Sequence, residues 1–203
     1  MKMKERLKFL KLLNEFRSLD YELQYVKEVL GVAHQEFEEY YREWCAENDV
    51  DLAELNKANS KKVAVTFQKV DTTELRQKVN QKLEAESRDF KSVYRKLAKK
   101  LHPDMLSNDD PRKLEYSNAF RKASMANKEG RWGELFDIVD KYDIPLGEYE
   151  EAIDSIRHDI KRVKAVLDKE KSTFSWKLYE SETEAQKVQV VKGFLKQLFG
   201  WKG

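Results

Sequence analysis

An all-α fold is predicted by three features of the sequence. The composition is short of helix breakers, two long apolar seams run at three-four spacing, and one shorter stretch segregates cations and apolar residues to opposite sides of a helix. The 203 residues include only seven glycines and three prolines, while 37% are Asp, Glu, Lys or Arg. Gly and Pro are the residues that cost most in a helix interior, so this balance favours long helices over a turn-rich β fold. The length suits one full-sized core or two small ones. The predicted architecture is a helical hairpin inserted between long helices that form an antiparallel coiled-coil arm.

The first seam is Phe9, Leu12, Phe16, Leu19, Leu23, Val26, Leu30, Ala33, Phe37, Tyr40 and Trp44, whose spacings alternate strictly between three and four. That is an a/d heptad pattern. A helix over residues 3–47 would be about 65 Å long at 1.5 Å per residue, with Gly31 its one weak point. Residues 1–60 are assigned to this arm and residues 61–73 to a connector. The connector contains "KKVAVTFQKV", in which Val63, Val65 and Phe67 alternate as in a strand. A single strand has nothing to pair with, so the segment is read as extended chain or a short helix, followed by a helix from about Thr73 through Leu83.

Residues 74–143 form the predicted central unit. Phe90, Val93, Tyr94, Leu97, Ala98 and Leu101 share one helical face, and Lys91, Arg95, Lys96, Lys99 and Lys100 cover the other. Pro103 lacks a backbone donor and pushes His102 out of the α region, so the helix stops at about Leu101 and His102-Pro103-Asp104 falls in a loop. Asp109 or Asp110 is placed to cap a following helix with Pro111 at its first position. Its apolar face is Tyr116, Ala119, Phe120, Ala123 and Ala126, and Gly130 ends it. Trp132, Leu135, Phe136 and Val139 define another short amphipathic helix before Pro145.

Residues 144–203 are read as helices returning onto the N-terminal one. A second seam, Leu146, Tyr149, Ile153, Ile156, Ile160, Val163 and Leu167, repeats the three-four spacing on a helix to about Lys171. The economical solution is that the two seams cover each other, the shorter leaving part of the longer for a third helix or another subunit. Ser181 with Glu184 gives a capping-box pattern, and Ala185, Val188, Val191, Leu195 and Leu198 make one face of a last helix. The final "FLKQLFGWKG" is expected to pack on the coil, with a membrane-surface or partner-binding tail as the alternative.

Charge and chemistry restrict the function classes. Lys and Arg total 39 against 37 Asp and Glu, so affinity for nucleic acid or membrane would have to come from local clustering. Cys45 is the only cysteine, which rules out an internal disulfide and a Cys-rich metal site and fits a reducing compartment. The N-terminus interrupts its apolar residues with Lys8, Lys11 and Asn14, unlike a signal peptide, and no apolar run reaches membrane-spanning length. A cytoplasmic protein is expected. His34, His102 and His158 have no companions at metal-ligand or triad spacing, and there is no glycine-rich phosphate loop. No catalytic residue, metal or cofactor is assigned, and the chain is not expected to be an enzyme.

"YRKLAKKLHPD", Tyr94 to Asp104, resembles the second helix and loop of the J-domain, the module by which DnaJ-type (Hsp40) co-chaperones engage Hsp70. The tyrosine, the paired basic residues, the leucine and the alanine match, and a helix bearing Phe120 and Ala123 returns at the right distance. The usual first helix, with its tyrosine-rich start and Leu-Gly turn, is not recognisable before Phe90, and Met105 replaces the common basic residue after the tripeptide. "NKEGRWGELFDIVDKYDI" is similar instead to a variant group in which a J-like hairpin is flanked by coiled-coil helices. The resemblance implies that Lys91, Tyr94, Arg95, Lys96, Lys99 and Lys100 steer and dock onto a DnaK-type Hsp70. It further implies that Asp104 accepts a charge-assisted hydrogen bond from an arginine there, with Pro103 fixing its angle and His102 bonding the last helix carbonyls or the partner. ATP hydrolysis by Hsp70 would rise, and the arm would hold a protein client or partner.

Two other readings use the same residues. A helical scaffold could retain a J-like fold without touching Hsp70, or the lysine face could contact nucleic-acid phosphates. Against nucleic acid, acidic residues crowd the neighbouring segments and no aromatic interleaves the exposed cations.

Overall fold

The computed structural model describes residues 2–57, 90–107, 109–147 and 149–202. The described residues build an all-α protein, as predicted, with no strand among them. In chain order the helices are α1 (Lys2–Glu47), α2 (Lys91–Leu101), α3 (Lys113–Glu129), α4 (Trp132–Lys141), α5 (Glu150–Lys171), α6 (Phe174–Tyr179) and α7 (Glu184–Phe199), with a 3₁₀ turn at Pro103–Met105. A further helical segment begins at Leu52, where the Asp51 carboxylate accepts the backbone N–H groups of Ala53 and Glu54. The expected connector at 61–73, its Val63, Val65 and Phe67 alternation, and the helix from Thr73 lie outside the described residues.

The described residues divide into two compact units, one from 1–22 and 83–165, the other from 23–82 and 166–203. The divisions fall inside α1 and α5 and not at their ends. Both seams are real, with adjustments. α1 buries Phe9, Leu13, Phe16, Val26, Leu30, Ala33, Phe37 and Trp44, so Leu13, fully buried, takes the place expected for Leu12. α5 buries Ile153, Ile156, Ile160, Val163 and Leu167 as its spacing requires, and adds Asp159, which no apolar count could select.

In the first unit Phe136 of α4 is fully buried, and its ring meets Phe9 of α1 at 5.8 Å and Phe90, just before α2, at 5.0 Å between centroids. Gly133 lies so close to Phe16 that an added Cβ would sit 2.5 Å from the ring, so only glycine permits this approach of α4 to α1. Arg17 ties the same two helices by ion pairs to Asp137 and Asp140.

The antiparallel pairing expected of the two seams is corrected here. Phe9 faces Tyr149, just before α5, at 5.5 Å, and Glu15 meets Lys164 at 2.8 Å. An antiparallel pair with Phe9 at Tyr149 would carry Glu15 about 30 Å along the axis from Lys164, at 1.5 Å per residue. In this unit the two helices therefore run in the same general sense. Heptad spacing is blind to direction, and about a hundred intervening residues are ample to return the chain to its starting end.

The second unit is held by aromatic rings. Phe194 of α7 meets Phe37 and Tyr41 of α1 at 5.0 Å each and Phe174 of α6 at 5.5 Å. Trp44, Cys45, Val191 and Leu195 form its buried cluster, with Phe199 and Trp201 packed against it. The C-terminal residues thus cover α1, and Trp201 sits edge-on to Trp44 at 5.9 Å. The cap of α7 differs from expectation: Thr183 accepts the N–H of Gln186, and the Gln186 side chain closes the box on the Thr183 backbone. Ser181 instead donates to the Lys177 carbonyl at the end of α6, two residues too early to cap α7. On α7, Val191 and Leu195 are buried, but Ala185 and Leu198 face outward.

Candidate functional site

The site is the end of α2 and the turn that follows it. Phe90 at the N-cap and Val93, Leu97 and Leu101 of α2 are buried, one apolar residue per turn, and that face fixes which way its cations point. It stops where the sequence requires. His102 has φ −61° and ψ 132°, the extended conformation that a following proline imposes, while its N–H still closes on the Ala98 carbonyl at 2.9 Å. Pro103 then opens a 3₁₀ turn in which Met105 N–H donates to the His102 carbonyl at 3.0 Å.

His102 closes this turn with its ring as well as its backbone. Nδ1 accepts the Asp104 N–H at 3.3 Å and lies 3.5 Å from the Asp104 carboxylate. The ring stands edge-on to Phe120 of α3 at 5.0 Å. Phe120 in turn faces the Tyr94 ring at 6.2 Å. Tyr94 hydroxyl meets Ser124 Oγ at 2.8 Å, and Ser124 donates to the Phe120 carbonyl at 2.9 Å. A stack running from Tyr94 through Phe120 to His102 thus braces the loop from behind. Asp104 is left with 84% of its side chain exposed.

The nine residues singled out in the sequence therefore separate. His102, Pro103 and Asp104 form the turn. Tyr94 is half-buried and spent on α3. Lys96 Nζ donates to the Pro145 carbonyl at 3.0 Å, and Lys100 Nζ donates to the Tyr142 carbonyl. Lys100 thus serves the C-cap residue of α4, where cations are favoured by unpaired carbonyls and the helix dipole, and Lys96 bonds the loop beyond it. Arg95 and Lys99 are exposed. The Lys91 side chain is outside the described residues.

α3 starts later than expected. Pro111 and Arg112 form a turn before Lys113, and Asp110 accepts the Arg112 N–H at 2.8 Å and pairs with its guanidinium. Hydrogen bonds from Arg112 hold the Asp110 carboxyl down at about 2. Gly130 ends α3 in the left-handed conformation, φ 65°, as its place in the sequence implies.

Two supports were invisible in the sequence. α4 has no side-chain cap of its own. Its Gly133 N–H is instead accepted at 2.7 Å by Asp159, fully buried on α5, with Arg162 3.1 Å from the other oxygen. Burial pushes the Asp159 carboxyl above the ordinary carboxylate range, against the opposing pull of the Gly133 N–H and Arg162. In the second unit His34 Nδ1 meets Ser175 Oγ at 2.7 Å across 141 residues.

Among the described residues no cluster of His, Cys, Asp or Glu is arranged to hold a metal, and no helix is long and apolar enough to cross a membrane. No family model matches the chain, and no curated protein or solved structure is significantly similar to it.

Proposed function

We propose that the protein is a J-domain-type co-chaperone that binds a DnaK-type Hsp70 and stimulates its ATP hydrolysis. The observation that carries this reading is the exposed carboxylate of Asp104, held on a braced turn immediately beyond a cationic helix. A carboxylate buried against its own protein could not meet a partner's arginine. This one can accept a charge-assisted hydrogen bond, which contributes about 1.5–3 kcal/mol. Arg95 and Lys99 supply the long-range attraction to an acidic surface, and Asp104 supplies the orienting contact. The chain breaks no bond itself. It raises the partner's rate by binding the hydrolysing conformation more tightly than the resting one, and so shifting the population. The long α1 carries the client or partner complex.

Single-turnover ATP hydrolysis by a DnaK-type Hsp70 tests the reading. Wild-type protein should accelerate it, whereas His102→Gln and Asp104→Asn should not. Equal acceleration by all three, or by none, removes the mechanism.

A further inference from the structure

Two of the five cations of α2 are bonded to one short segment of their own chain. Lys100 reaches the carbonyl of Tyr142 and Lys96 that of Pro145, so residues 142–145 lie as a strap along one edge of the basic face. The strap has a fixed end. Tyr142 is buried, its hydroxyl donates to Glu115 at 2.8 Å, and its ring meets Tyr116 at 5.3 Å. Ile144 is buried as well, with its N–H on the Val139 carbonyl at 2.9 Å.

The strap also has open space beside it. Between these anchors Asp143 adopts φ 47°, the left-handed conformation that commonly follows the last turn of a helix. Its outer side borders a cleft of about 300 Å³ shared with Arg6, Leu10 and Tyr149, so there is room to withdraw. Just beyond it, an added Cβ on Gly147 would meet nothing within 4 Å.

We propose that residues 142–145 are an intramolecular competitor for the docking face of α2. Closed, the strap reserves Lys96 and Lys100 and leaves Arg95 and Lys99 for first contact. Open, all four lysine and arginine heads face an acidic partner. The inference rests on the co-chaperone reading for the identity of that partner, but not for the competition itself. A face that is free only part of the time binds more weakly in proportion to the free fraction. Loosening the strap should therefore tighten anion binding without any new contact.

The test measures affinity at low salt for two probes, a twelve-residue oligoglutamate peptide and an ATP-bound DnaK-type Hsp70. Ile144→Ala loosens the strap by removing buried volume, and Tyr142→Phe does so by removing the bond to Glu115 with little change in packing. Either folded variant, checked by circular dichroism, should bind oligoglutamate about three- to tenfold more tightly than wild type. The gain should vanish when Lys96→Ala and Lys100→Ala are added. Unchanged affinity in Tyr142→Phe, a gain that survives loss of both lysines, or no oligoglutamate binding by any form overturns the proposal. Hsp70 binding that is absent from every form, with the oligoglutamate pattern intact, sinks the co-chaperone reading and leaves the strap standing.

Discussion

The carboxylate of Asp159 on α5 accepts the backbone N–H of Gly133 at the start of α4, 2.7 Å away and 26 residues earlier in the chain. A helix whose own N-cap residue offers nothing is thereby capped from a neighbouring helix. Asp159→Ala strands that N–H in the core and should cost about 2 kcal/mol in chemical denaturation. Asp159→Asn keeps an acceptor and removes the buried charge, so it should cost less. The pH dependence has a definite sign. Because the folded carboxyl sits above its ordinary value of 3.8, its contribution is greatest below that value and is lost as pH rises through the folded one. The asparagine variant should lose this component of the stability profile.

Gly133 and Gly130 are three residues apart and should fail for different reasons. At Gly130 the space beside a Cβ is open, the nearest atom lying 4.0 Å away, but φ is 65°, so Gly130→Ala should cost only about 1–2 kcal/mol. At Gly133 a methyl group would collide with the Phe16 ring. Gly133→Ala should cost about 1–3 kcal/mol, and Phe16→Leu, by opening space there, should offset part of the loss. Strict additivity of the two substitutions in a double-mutant cycle would contradict this account.

Phe120 touches both Tyr94 and His102 of the proposed docking element without being part of it. Phe120→Leu withdraws the ring from His102 and Tyr94 while retaining most of its apolar volume. Helical content should be unchanged, and stimulation of Hsp70 should fall several-fold, because the carboxylate is presented over a wider range of angles. Undiminished stimulation would show that the brace is not needed.

Acid should loosen the entry to α3 before it reaches the core. Asp110 is held at about 2 by Arg112, below its ordinary value, so its stabilising pair is complete above pH 4 and lost as pH falls toward 2. Amide exchange at Lys113 and Tyr116 should rise over that window. In Asp110→Asn it should rise far less.

The helical class, the C-terminal ends of α2 and α3 and the buried faces of both long helices were legible in the sequence, since period, proline and glycine act locally. Leu13 displaced Leu12 because two adjacent leucines satisfy the same pattern and only the neighbouring packing chooses between them. Ser181 and Thr183 posed the same ambiguity at a cap. The sense of α1 against α5 was not legible, because heptad spacing carries no direction. In the site, the tripeptide turn followed from Pro103, but the brace of Phe120, the diversion of Lys96 and Lys100 and the remote cap by Asp159 join residues 18 to 49 positions apart. No periodicity encodes such meetings.

Cys45 sits 1% exposed in the cluster of Trp44, Val191 and Leu195, and burial pushes its thiol up from the ordinary value. With no second thiol in the chain, alkylation has a single target and reads one event. Its rate is a clock for the opening of the C-terminal aromatic packing, running in the unmodified protein without any label. Any change in that packing would alter the clock, whatever happens at Asp104.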